Sequence, residues 1–350
     1  MSRSKDVTPA EDYGFFGPGS ITWKVWGYPT SLTVGLQRAV VVEEMDPALV
    51  AAVTETHGIY DRPRTRYDRT VRYFAMVAFG DSRSTSKVAD VLVKVHSRAV
   101  GIEPYSGAVY DANDPRSQLW ILLTGWHSVL HSYEKYGPGK LTPEEDARYW
   151  AECAVAAELQ TCDPADVPRD SEGVRAYFER MRPQLSASEY ARNAMNHLLN
   201  GEAALPPVPA FARPLAKLVS RALRAATLAT MPRWMREAVG IHQSRLVDAL
   251  ITPGARTVFR LLHVNRRVEL RLLRFLSPGT FPVAAPALAG VPAVNPAVLT
   301  PAEARERYGY DKPAEAHLEL RRRQRDRALA GTTPSDDVIR DSQPVLGPIA

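Results

Sequence analysis

Apolar positions along this chain recur at helical spacing. Between Thr65 and Phe79, Val71, Phe74, Ala75 and Ala78 fall on one side, while Arg66, Arg69, Thr70 and Tyr73 recur at i, i+3, i+4 and i+7 on the other. That pattern predicts a two-faced helix over 65–79, closed by Gly80. Comparable patterns predict helices over 31–44, from Pro47, and over 84–100, 115–136, 142–160, 171–182, 187–200, 209–229, 231–251 and 254–276. The punctuation agrees. Asp46-Pro47 and Asp114-Pro115 are start signals, Thr142-Pro143-Glu144-Glu145 has the makings of a capping box, and Gly137-Pro138-Gly139 is a stop. Only Ile21 to Val25 has strand character. The expectation is an all-α fold, a single large multi-helix domain over 1–285. Residues 286–350 change composition: a Pro/Ala-rich linker, a short charged helix around EAHLELRRRQRDR, and a disordered tail.

Bulk composition narrows the function classes. The 350 residues are 45% apolar and 24% charged, with a net charge of +5. A nucleic-acid binder would need a basic stripe interleaved with aromatics, and the Arg321–Arg323 cluster alone is a solvated helix face. No nucleic-acid partner is expected. Cys153 and Cys162 have neither metal-site nor disulfide-framework spacing and read as reduced thiols. The first residues lack the apolar core of a signal peptide, and no apolar run reaches transmembrane length, so a cytoplasmic protein is expected. Pro206 to Ala229 is apolar but carries Arg213, Lys217, Arg221 and Arg224. It reads as a core helix with snorkelling cations, an apolar entrance, or a peripheral membrane contact.

The candidate chemistry rests on histidines. In the run VKVHSRAVG, His96 has Leu92, Val93, Ala99 and Val100 at helical neighbour positions, which turns it inward. It is either a core histidine hydrogen-bonded to backbone or a metal ligand, since an imidazole in an apolar wall is what an axial haem ligand requires. His127 and His131, four apart, share a face and could hold a non-haem metal, although WHSVLHS lacks the glutamate of the zinc-protease motif. His57, His197, His242, His263 and His317 have no partner at ligand spacing. Phosphate-loop, dinucleotide and serine-hydrolase motifs are absent.

In order, the runs DYGFFGPGS, LQRAVVVEEMDPALVAAV, RYDRT, VKVHSRAVG, YDANDPRSQLW, SYEKYGPGKLTPEEDARYWAE and TMPRWMREAVG resemble the latex-clearing protein and MpaB-type oxygenase family, over roughly residues 12 to 280. The resemblance implies an all-helical, oxygenase-like domain over 1–285 and a b-type haem. It also implies a reaction of dioxygen with an apolar, unsaturated small-molecule substrate. It makes His96 the proximal iron ligand and aligns Arg66, Arg69 and Thr70 with the family's distal R-x-x-K-T pattern. Arg69 stands where relatives carry lysine. An arginine stays protonated and cannot ligate iron, so the resemblance implies an open sixth position with Arg69 donating to dioxygen or a propionate. Met45-Asp46-Pro47 also departs, because many relatives have histidine before that proline. Glu44 and Glu55 are candidates for the family's distal glutamate. A haem-less ligand- or partner-binding relative, or a non-haem metal enzyme using His127 and His131, are the alternatives.

Overall fold

The computed structural model describes residues 7–55, 58–332, 335, 340 and 342–347. Helices dominate, as the apolar spacing predicts. In chain order the first are α1 (Ile21–Trp26), α2 (Leu36–Glu43), α3 (Pro47–Glu55), α4 (Gly58–Asp61), α5 (Pro63–Phe79) and α6 (Ser82–His96). A two-stranded antiparallel hairpin follows, β1 (Val100–Ile102) and β2 (Val109–Asp111), paired Gly101 to Tyr110. Then come α7 (Pro115–Tyr136), α8 (Pro143–Ala157), α9 (Ser171–Met181) and α10 (Glu189–Leu199). The rest are α11 (Arg213–Thr230), α12 (Arg233–Ala238), α13 (Arg245–Val264), α14 (Arg266–Leu276), α15 (Phe281–Leu288), α16 (Pro301–Tyr308), α17 (Leu318–Leu329) and α18 (Gln343–Leu346).

The core is built around α7. Trp120, Leu123, Trp126 and Val129 on it are fully buried. Trp126 meets Trp26 edge-on at 5.6 Å and Tyr149 at 5.0 Å, which ties α1 and α8 to α7. Its start is fixed by Asp114, whose carboxylate accepts from the Arg116 and Ser117 amides, with Pro115 in the first turn. The element α2 runs along α7, entered through a π-helical turn at Ser31–Gly35 in which Gly35 N donates to Thr30 O at 2.8 Å. Gly35 allows the close approach: a Cβ would sit 3.1 Å from the Val129 Cα, so the two backbones would have to separate slightly to admit one.

Several boundaries differ from the sequence expectation, each for a visible reason. Ile21 to Val25 is helix, because Ser20 caps it and Glu152 on α8 accepts from the Ile21 and Thr22 amides at 3.0 and 2.6 Å. The helix α6 stops at His96, ahead of Gly101, because the Ser97 hydroxyl and the Asn113 amide take the Lys94 and Val93 carbonyls. Ala99 and Val100 therefore do not flank His96 on one helix. Pro253 lies inside α13, while the break falls at Gly240, a left-handed residue, before the Ser244 cap. The Pro/Ala-rich stretch is ordered as α15 against α5 and α14, followed by strand-like pairing of residues 294–299 with 10–14. Gly14 permits that pairing, with φ +64° and the Gly80 carbonyl directly over its α-carbon. Near the end of the chain, Val345 and Leu346 of α18 are buried against α5 and α6. No helix among the described residues is long and apolar enough to cross a membrane.

Candidate active site

The element α5 carries the predicted basic face and α6 delivers His96 at its last residue. Asp81 caps the start of α6 through the Ser84 amide, which sets the helix direction. Gln118, one turn into α7, holds the ring from the side. Its amide nitrogen donates to Ala112 O at 2.6 Å and lies 3.3 Å from His96 Nδ1. Nε2 has no hydrogen-bond partner among the described residues. Burial, reinforced by the Arg66 charge, pushes the His96 pKa down to about 4, so the imidazole is neutral at pH 7.

The Arg66 side chain is exposed by surface area, and His96 is half-buried, yet burial is the largest cause of the lowered pKa of both. Facing Arg66 are Glu43 at the end of α2 and Glu44, its C-cap. Both carboxyls are buried, and burial pushes each up to about 8 against the attraction of Arg66. Glu43 Oε1 and Glu44 Oε2 have no hydrogen-bond partner among the described residues. A neutral imidazole on α6 and two protonated carboxyls at the end of α2 thus lie within electrostatic reach of one guanidinium on α5.

Arg69 is not part of this group. Its guanidinium donates to Gly347 O at 2.8 Å and Ser342 Oγ at 2.6 Å, and the charges it senses are Arg72 and Arg62. Arg66 and Arg69 share a helix face by spacing, but their long side chains diverge. Thr70 is half-buried one turn beyond Arg66. Asp46 caps α3, accepting from the Leu49 amide at 3.0 Å, and is buried. Glu55 ends α3, and its side chain and His57 lie outside the described residues. Glu44, one of the two glutamates suggested by sequence, is set against Arg66.

His127 and His131 stack at 5.8 Å on α7. Arg38 of α2, itself buried, donates to Ser128 Oγ at 2.6 Å and sits 3.3 Å from His127 Nδ1. Burial and the Arg38 charge push His131 down to about 3. A divalent cation would be repelled by Arg38 and finds no carboxylate here among the described residues, so this donor set does not fit a metal. No group of three or more His, Cys, Asp or Glu side chains converges as a metal site among the described residues.

The His96 site suits haem iron better: the imidazole is neutral and its Nε2 has no hydrogen-bond partner among the described residues. One feature works against it. An amide donating to Nδ1 keeps the ring proton on Nε2, so ligation requires that proton to leave or Gln118 to turn its oxygen toward Nδ1.

Sequence reading missed Arg38, Glu43 and Gln118. Arg38 and Glu43 are polar residues inside the apolar run LQRAVVVEE, and a charge at a core position is a signal in itself. Nothing in the sequence links Gln118 to His96.

Residues 23–251 match the family model described as ER-bound oxygenase mpaB/B'/rubber oxygenase, catalytic domain. No curated protein and no solved structure matches the chain significantly. The matched span runs from α1 into α13 and takes in α2, α5, α6 and α7, which carry Glu43, Arg66, His96 and Gln118. By its residues and by this match, the chain belongs to the MpaB and rubber oxygenase catalytic-domain family and is an oxidoreductase of the oxygenase type.

Proposed function

We propose that the chain is a haem b-dependent oxygenase that uses dioxygen on an apolar, unsaturated substrate, with His96 as the iron ligand and Arg66, Thr70 and Glu44 on the reacting side. The observation that carries this reading is the half-buried His96, held at Nδ1 by Gln118, beside Arg66 and the buried Glu43 and Glu44. Haem, when bound, supplies the activation of dioxygen. The protein's part is binding and electrostatics. Gln118, with its amide oxygen turned toward Nδ1, would fix the plane of the imidazole. Arg66 offers a fixed cationic donor to charge developing on oxygen, of the kind whose removal typically costs about 3 kcal/mol of barrier. Glu44, protonated at neutral pH, holds a proton at its carboxyl oxygen beside that guanidinium. In this reading Arg69 anchors residues 342–347 and leaves the reacting side to Arg66 and Thr70.

The test is reconstitution of the purified chain with haemin, followed by absorption spectroscopy. A Soret band is expected from the wild type and its loss from His96→Ala. Oxygen uptake with an unsaturated polyisoprenoid should fall by about a hundredfold in Arg66→Leu while haem is retained. A wild-type chain that stays colourless with ample haemin sinks the proposal.

A further inference from the structure

The elements α11 and α13 both rest on α7 and on each other, so their outer faces look away from the core. Those outer faces are apolar. Phe211 and, on α11, Leu215 and Leu218, together with Leu246, Leu250 and Leu261 on α13, each keep between 63% and 87% of their surface accessible. On α13 these leucines recur along a single stripe. Monomeric proteins rarely leave so long an apolar stripe facing water without a partner.

The charges say which partner fits. Of Lys and Arg, α11 carries four, α13 three and α14 four. The only acidic residues in these helices are Asp248 and Glu269. Asp248 is engaged by Arg236 at 3.0 Å and Glu269 by Arg266 at 2.5 Å. Three helices therefore hold nine positive charges in excess, while the whole chain holds five, so the remainder is negative by four. Arg245, Arg256 and Arg260 run along one edge of the α13 stripe, and Arg213, Lys217 and Arg221 are exposed on α11. Leucines that enter an acyl layer, edged by cations at the depth of phosphates, describe an interfacial helix pair.

We propose that α11 and α13 form a docking surface for an anionic phospholipid bilayer, on which the protein lies peripherally. The sequence alone allowed a buried helix with snorkelling cations, and the exposure of the leucines decides against that reading. The docking face stands whether or not haem is bound, because no residue of the His96 group belongs to it.

The experiment is co-sedimentation of the full chain with vesicles of phosphatidylcholine alone and of phosphatidylcholine mixed with phosphatidylglycerol. Retention on the mixed vesicles only, weakening with salt, is expected. Leu246→Glu/Leu250→Glu should lower the partition coefficient at least tenfold, and Lys217→Glu/Arg221→Glu likewise. All four side chains are exposed, and an unchanged Tm checks that the fold survives. Two results overturn the proposal. One is no retention on the anionic vesicles. The other is a wild-type dimer in sedimentation equilibrium that Leu246→Glu/Leu250→Glu makes monomeric, with equal vesicle binding by both, which would assign the face to a second copy of the chain.

Discussion

At the scale of single residues, the site works by holding ionisable groups in the form they would not take in water. Glu43 and Glu44 have folded pKa values raised to about 8, so the folded chain binds protons that the unfolded chain has already lost. Their contribution to stability is full below the ordinary carboxyl range and is lost as pH rises through about 8. His96 acts in the opposite sense: its folded pKa is lowered to about 4, so its contribution is full above the ordinary histidine pKa and is lost as pH falls through about 4. Glu269, raised to about 7, complicates the range below neutrality. The window from about pH 7 to 8 therefore reports mainly on the pair beside Arg66. Thermal unfolding should show Tm falling across that window in the wild type and staying nearly level in Glu43→Gln/Glu44→Gln. An identical slope in both would remove these carboxyls from the account. Arg69 yields a separate expectation. Its two hydrogen bonds hold residues 342–347, so Arg69→Ala should cost about 2 kcal/mol and raise amide exchange in that segment selectively.

At the scale of elements, short contacts between distant segments decide what local pattern cannot. Glu152 on α8 accepts two amides and the Thr22 hydroxyl from the first turn of α1. Glu152→Ala should destabilise by about 1–2 kcal/mol in denaturant unfolding, with Glu152→Gln recovering part of the loss. Gly35→Ala is expected to cost about 1–3 kcal/mol, because its Cβ must displace α2 from α7 at Val129. The same contacts explain what was legible beforehand. The spans of α5, α7, α8 and α9 follow from periodicity, caps and proline positions, all of which are local. The helical state of Ile21 to Trp26 depends on Glu152, more than a hundred residues away, so a local apolar run with strand propensity misleads. The sequence spans 231–251 and 254–276 break at Pro253, whereas the structure carries one helix, α13, through it, because a helix tolerates proline when packing supplies the rest. Within the site, inward-turned His96 and the basic face of α5 were readable. The divergence of Arg66 from Arg69 was not, because spacing fixes Cα directions and leaves four side-chain torsions free.

At the scale of the molecule, two surfaces have separate tasks. One is internal, where α2, α5, α6 and α7 bring ionisable groups together and burial keeps two carboxyls and an imidazole uncharged. The other is external, where α11 and α13 bring apolar surface into water. Both are unfavourable taken alone; in the readings proposed above, a cofactor and substrate relieve the first and a lipid surface the second. An apolar substrate that dissolves in bilayers would be concentrated where the second surface rests. The oxygenase reading and the docking reading thus predict a joint result. Turnover of a membrane-dissolved substrate should fall in Leu246→Glu/Leu250→Glu, whereas turnover of a short, water-dispersed analogue should not.

The uneven sharing of charge between three helices and the remainder also makes the folded chain an electric dipole. Near an anionic sheet such a molecule feels a torque before it feels contact, so most encounters arrive already turned. Lowering ionic strength should then raise the rate of arrival more than it slows departure, and the same chain should adhere to both cationic and anionic chromatography resins at one pH.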